Sequence, residues 1–277
     1  MRFPPSNRTA SGFSLVELSI VLVILGLLVG GVLSGQSLIR AAELRSVSAE
    51  YSRFTAATYA FRDKYFALPG DLRDATRFWG RAANTADCIT NSSAAVTSAA
   101  AGACDGDGDG IVGRTFVVST VGEMHQFWKQ LALAGLIEGN YTGIAGPFTP
   151  NAGQDVIVGT NGPRGKLSNS GWGMVNVDFG GDAWTYANNY GNMFSFGGQN
   201  PGTYPIGPNL KPEEAWNIDT KIDDGRPAQG TIWVRSGGNA WGTSGSCTTS
   251  TSFSDYAGQY RLSNNAAACS IFTNRVL

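Results

Sequence analysis

Between Phe13 and Leu33 the chain carries a single charge, Glu17, and apart from Ser14 and Ser19 every other position is apolar or glycine. A bilayer core needs ~20 mostly apolar residues in helical form, so this run reads as a membrane-crossing helix. A carboxylate inside such a segment costs roughly 2.5–3.5 kcal/mol on insertion scales and marks a functional candidate. A secretory signal peptide fits less well. Its apolar core is shorter, roughly 7–15 residues, and Leu33-Ser34-Gly35 is a poor small-residue cleavage site. A plain anchor explains the length but leaves Glu17 without a reason. Beyond Leu38 the pattern changes from all-apolar to striped. Leu44, Val47, Tyr51, Phe54, Thr58, Phe61 and Tyr65 recur at helical spacing and form one face. Arg40, Glu43, Arg45, Glu50, Arg53, Arg62 and Asp63 fall mostly off it. The helix is therefore expected to continue as an amphipathic half up to Pro69, whose ring pushes Leu68 out of the α region. Leu68-Pro69-Gly70-Asp71 then reads as a turn.

Further along, Thr120-Val-Gly-Glu123 has the form of a capping box and predicts a helix that stops near Gly135. Pro212, with Glu213 and Glu214 behind it and Gly225 and Pro227 beyond, brackets another helix with Ala215, Ile218 and Ile222 as its buried stripe. Asp219, Asp223 and Asp224 could serve a cation, but a solvated helix face is the favoured expectation. Strands are predicted at Arg114–Ser119, Asp155–Val158, Trp172–Phe179, Asn192–Phe196 and Thr231–Arg235, separated by Gly, Asn and Pro turns. Ala82–Ala103 reads as a surface loop, and the stretch after Gly237 has no periodic signal. The fold class is thus α+β. A long N-terminal helix, membrane half plus amphipathic half, packs on a Gly- and aromatic-rich domain containing antiparallel β structure. Thirty-seven glycines, 11% aromatics and only 15% charged residues favour that loop-rich domain over a helical or disordered one.

Net charge is −1, which removes any electrostatic case for a nucleic-acid partner. Arg2 and Arg8 precede the apolar run and favour keeping that end cytoplasmic, which places the C-terminal domain outside. Cys88, Cys104, Cys247 and Cys269 then lie in an oxidising compartment, where an even count points to disulfides. Three connectivities are possible. The sequence-local pairs Cys88–Cys104 and Cys247–Cys269 are favoured, each worth ~3 kcal/mol in a chain-entropy estimate. Asp105, Asp107 and Asp109 alternate with glycine as in the first half of an EF-hand loop, which reads either as three carboxylates set to converge on a calcium ion, the favoured reading, or as a solvated acidic turn. The second half departs: Phe116 stands where a bidentate glutamate belongs. Calcium is expected to need a further carboxylate from elsewhere. His125 is the only histidine, and no nucleophile elbow or zinc motif accompanies it, so no enzyme is expected.

At Gly12, Phe13 and Glu17 the sequence resembles the type IV pilin superfamily, which comprises type IV pilins and the pseudopilins of type II secretion. The shared motif is a short basic leader ending in glycine, then phenylalanine, then glutamate as the fifth residue of the mature chain. Ser34 stands where many fibre-forming members have a proline, and Gly30, Gly31 and Gly35 are the residues that would loosen the helix instead. The resemblance implies a leader at 1–12, an assembly helix at 13–34, its amphipathic continuation at 35–68 and an extracytoplasmic domain at 69–277. It also implies cleavage by prepilin peptidase after Gly12, N-methylation of Phe13, and assembly with copies of itself or other pilin-like subunits. Glu17 would there pair with the Phe13 ammonium of a neighbour. The pair Cys247–Cys269 resembles the C-terminal disulfide loop common among pilins. Two roles remain open: a structural subunit of a type IV pilus or type II secretion pseudopilus, or a membrane-anchored or fibre-tip adhesin-like module with a calcium loop. The implied location is the inner membrane before assembly and a periplasmic or cell-surface fibre afterwards.

Overall fold

The computed structural model describes residues 14–81, 102–113, 122–146, 154–179, 185–236, 246–250 and 252–274. Its chain divides into two units, Met1–Glu43 and Leu44–Leu277. Helix α1, Leu15–Tyr65, belongs in part to each.

In the first unit, α1 opens at Ser14. The Ser14 Oγ accepts the Val16 amide at 3.2 Å and the Glu17 carboxylate accepts the Ser14 amide at 2.8 Å. That reciprocal arrangement satisfies helix-start donors that otherwise have no partner. Every residue from Leu15 to Ser34 is exposed, including Leu15 at 85% and Leu27 at 72%. An apolar surface that runs all round a helix is stable only in lipid or against other protein.

In the second unit, α1 buries Val47, Phe54, Thr58 and Phe61, with Leu44, Tyr51 and Tyr65 packed at the margin. These are the striped positions read from the sequence. Glu50 and Ala57 are buried as well, so the contact face is wider than the stripe. Seven further elements follow among the described residues, of which the short helix α2 and strand β4 had no expectation from the sequence. Helix α2 spans Ala75–Trp79, helix α3 Glu123–Leu133, strand β1 Gly171–Phe179 and strand β2 Asn188–Gly197. Helix α4 spans Pro212–Ile222, strand β3 Ile232–Ser236 and strand β4 Cys269–Thr273. Helix α4 starts as the sequence predicts, with Pro212 at its head and the Glu214 carboxylate accepting the Lys211 amide at 2.9 Å.

The strands form one antiparallel sheet in the order β1-β2-β4-β3, with a bulge opposite Val177/Asp178, where Tyr190 is the extra residue on β2. Aromatic rings join α1, α3 and the sheet. Phe54 meets Trp128 at 5.0 Å and Trp172 at 5.5 Å, Trp128 stacks on Phe194 at 5.7 Å, and Trp172 meets Phe196 at 4.7 Å. Such pairs add roughly 0.5–1.5 kcal/mol each beyond the area they bury. Helix α3 is enclosed from Glu123 through Leu131, all of them buried, and only its last residue, Leu133, is exposed.

Several expectations are corrected here. Helix α3 begins at Glu123 with Gly122 as its N-cap, so Glu123 is the first helical residue and not the fourth position of a box; Thr120 lies outside the described residues. Asp155–Val158 is not a strand. Its amides and side chains bind loops, as when Asp155 accepts the Gly202 amide at 2.8 Å, and only Val158 bridges, to Gly162. Strand β4 went unpredicted. The expected strand at Arg114–Ser119 lies outside the described residues.

Candidate functional site: the helix start and the acidic loop

The two sequence-predicted sites lie in different units. At the helix start, Gly12 and Phe13 lie outside the described residues. Glu17 is exposed, surrounded on its helix by apolar side chains, and its carboxylate sits over the first turn of α1. A negative charge there is favoured by the helix dipole. The group is thereby oriented toward the chain's N-terminal end.

The acidic loop is built differently from the expected EF-like arrangement. Asp105 turns away from its neighbours: its two oxygens accept the Thr76 amide at 2.8 Å and the Thr76 hydroxyl at 3.0 Å at the start of α2. Asp71, from the Pro-Gly turn, takes its place. The carboxylate oxygens of Asp71, Asp107 and Asp109 lie within 4.8 Å of one another. Asp71 accepts the amides of Gly108 at 2.5 Å, Asp109 at 3.1 Å and Gly110 at 2.9 Å. Glu123 accepts the amides of Asp107 at 3.2 Å and Gly113 at 2.8 Å. Two buried carboxylates thus hold the loop by five of its backbone amides. Glycine is required at Gly106, where an added Cβ would lie 2.5 Å from the backbone of Asp71. It is also required at Gly70, which has φ +87° and packs its backbone on the start of α3, its amide donating to Gln130 Oε1 at 2.7 Å.

Burial raises the pKa of Asp71, and the neighbouring Asp109 and Asp107 charges add to that, against the amide bonds that lower it. Glu123 is pushed to about 7, first by burial and then by Asp107 and Asp71, which together outweigh its two amide bonds. Without a counter-charge the cluster repels itself.

The Asp219 group is also different from its expected solvated face. Asp219 is fully buried, accepts the Tyr260 hydroxyl at 2.7 Å and the Gly225 amide at 3.2 Å, and is pushed to about 7 by burial. Asp223 accepts the Thr231 and Ile232 amides at the start of β3, and Asp224 accepts the Arg226 amide at 2.8 Å. These carboxylates close the α4–β3 connection. Their oxygens also approach one another within 4.8 Å.

Cys247 and Cys269 are joined by a disulfide, with Cα atoms 5.2 Å apart. Cys104 is buried and disulfide-bonded, and its expected partner Cys88 lies outside the described residues. His125 is fully buried in α3. The residue that sequence reasoning missed outright is Glu50. It is 3% exposed, accepts the Lys166 amide at 3.0 Å and the Trp172 indole at 3.1 Å, and its pKa is raised by burial.

Residues 7–33 match the family model for the prokaryotic N-terminal methylation motif. The matched segment holds Gly12, Phe13 and Glu17 and most of the exposed apolar part of α1. No curated protein and no solved structure matches the chain significantly. The N-terminal segment is of prepilin type, and the match supports a prepilin-type protein of the kind that includes type IV pilins and pseudopilins.

Proposed function

We propose that the protein is a structural subunit of a type IV pilus or a type II secretion pseudopilus. Prepilin peptidase removes Met1–Gly12, Phe13 is N-methylated, and α1 then packs among the helices of other subunits. Before assembly the apolar run holds the chain in the inner membrane with its C-terminal domain outside. The observation that carries this reading is the methylation motif at 7–33, with Glu17 at the head of a helix whose apolar surface is exposed all round.

The chemistry follows from the charge of the mature N-terminus. Cleavage creates an ammonium at Phe13 in an apolar setting, where an unpaired charge is costly. A neighbour's Glu17 offsets it, and because the pair forms only at one axial offset, it selects a register. Glu17→Val should therefore leave membrane insertion and the outer domain intact while fibres are lost. Shearing cells that carry only the variant and weighing the released subunit tests this. Wild-type amounts of fibre would reject the pairing.

We also propose calcium at the acidic loop, with Asp71 in place of Asp105 beside Asp107 and Asp109. This supports the adhesin-like alternative as an added role of the outer domain. A divalent cation offsets the mutual repulsion of the three carboxylates. Asp71 already serves three amides, so affinity is expected to be weak, roughly 10⁻⁴–10⁻³ M as in extracellular modules. The melting temperature of the full chain in detergent should rise with millimolar calcium, and Asp107→Ala should remove the rise. No response in the wild type rejects the site.

A further inference from the structure

Helix α3 ends at Leu133, and the loop behind it carries Glu138-Gly139-Asn140-Tyr141-Thr142. Asn140 followed by a tyrosine and then Thr142 is an asparagine-x-threonine acceptor pattern with no proline in the middle. The pattern recurs at Asn7 and Asn91, both outside the described residues. Neither of those has an acid two positions earlier, where Pro5 and Ile89 stand; Asn140 has Glu138 there. The loop sorts these side chains by direction. Tyr141 is buried, and its hydroxyl donates to the Glu138 carbonyl at 3.1 Å. Gly139 permits that closure, with φ +116° and a position where an added Cβ would lie 2.7 Å from the Tyr141 hydroxyl oxygen. Glu138 and Asn140 are exposed. Thr142 is half-buried; its amide donates to the Thr160 carbonyl at 3.0 Å, and its hydroxyl reaches the Ile144 carbonyl at 3.4 Å.

We infer that Asn140 is an N-glycosylation site, with Glu138 and Thr142 as the positions by which a membrane-bound oligosaccharyl transferase recognises it. The donor is an oligosaccharide joined to a polyprenyl lipid through pyrophosphate. Nδ2 of Asn140 bonds to C1 of the first sugar, and the bond from C1 to the pyrophosphate oxygen breaks. The lipid pyrophosphate leaves with the electron pair and the amide gives up one proton, so nothing is oxidised or reduced. Thr142 offers the enzyme a hydroxyl and Glu138 a negative charge. Because the folded loop ties the Thr142 backbone to Thr160, transfer precedes closure of the loop. After folding, the sugar stands on an exposed side chain and leaves Tyr141 in its packing. A chain with only 15% charged residues gains hydration from such a bulky hydrophilic group. The reaction requires the loop to face the extracytoplasmic side, and on this point the inference rests on the subunit reading above.

The test is the mass of the peptide containing Asn140, from full-length protein recovered from its own cells, with the N-terminal residue read on the same sample. The expected result is a hexose- or hexosamine-containing mass that fragmentation assigns to Asn140. Asn140→Gln and Thr142→Ala should abolish it, Thr142→Ser should keep it, and Glu138→Gln should lower its occupancy severalfold. An unmodified Asn140, a sugar on this peptide that survives Asn140→Gln, or full occupancy in Thr142→Ala or Glu138→Gln overturns the inference. An unmodified Asn140 on chains that begin at Phe13 sinks the glycan site alone. A glycosylated chain that still carries Met1–Gly12 in the fibre sinks the subunit reading and leaves the site standing.

Discussion

Glu50 shows how a single buried carboxylate can tie a long helix to its domain. It lies on α1 and gives acceptors to Lys166 N–H and Trp172 Nε1, 116 and 122 residues away. Glu50→Ala leaves the buried Trp172 indole without this partner, at about 1–3 kcal/mol, while the amide of the exposed Lys166 can turn to water. Thermal unfolding of the variant should show a fall on the order of 5 °C, and an unchanged midpoint would show that water replaces the carboxylate. Glu123 makes a prediction of opposite character. Its folded pKa, about 7, lies above the ordinary 4.5, so the folded state holds the proton more tightly. Its contribution is fully present below about pH 4.5 and is lost as pH rises through about 7. With calcium chelated, the melting temperature should be higher at pH 5 than at pH 8, and Glu123→Gln should flatten part of that slope. A slope of the opposite sign would contradict this account of the loop. Neither carboxylate was legible as a buried group in the sequence. Charge placed Glu50 off the apolar face, and Glu123 read as a capping residue. Asp71 likewise serves amides 37 to 39 residues away. Pairings over such separations leave no local pattern.

Among the elements, the amphipathic stripe of α1 was readable because each of its residues is set by its own turn of helix. The same holds for α4, whose Pro212 start and Ala215–Ile218–Ile222 stripe are local signals. Strand β4 was not readable. It lies between β2 and β3 and is buried at all five positions, Cys269 to Thr273, so apolar and polar residues do not alternate along it. Ser270 and Thr273 are as buried as Ile271 and Phe272. The Asp105-Gly-Asp-Gly-Asp109 run shows a halfway case: the sequence identified the loop, but which three carboxylates meet depends on Asp71 arriving from another turn. Strand β4 begins at the disulfide that links it to Cys247, across a separation of 22 residues. Replacing Cys247 and Cys269 together by serine should cost ~3 kcal/mol of stability. Denaturant unfolding, compared between oxidised wild type and the double variant, measures it. Equal midpoints would mean that β4 is held by its ladder alone.

At the scale of the whole molecule, the two units divide the work. The first offers an apolar helix that no part of the described chain covers, and the second offers a domain with its own aromatic core. The membrane run and the Gly12-Phe13-Glu17 motif were the most legible part of the sequence, because both depend on contiguous residues alone. The C-terminal domain carries no comparable signature. If processing precedes assembly, a bulky residue at position 12 should stop both, since a peptidase subsite shaped for glycine excludes a side chain. The most direct measurement is the intact mass and N-terminal sequence of the protein sheared from the cell surface or purified from the membrane. The account predicts a chain that begins at Phe13, carries one N-terminal methyl group and retains its disulfides. A mature chain that begins at any other residue, or fibres built from subunits that still carry Met1–Gly12, would contradict it.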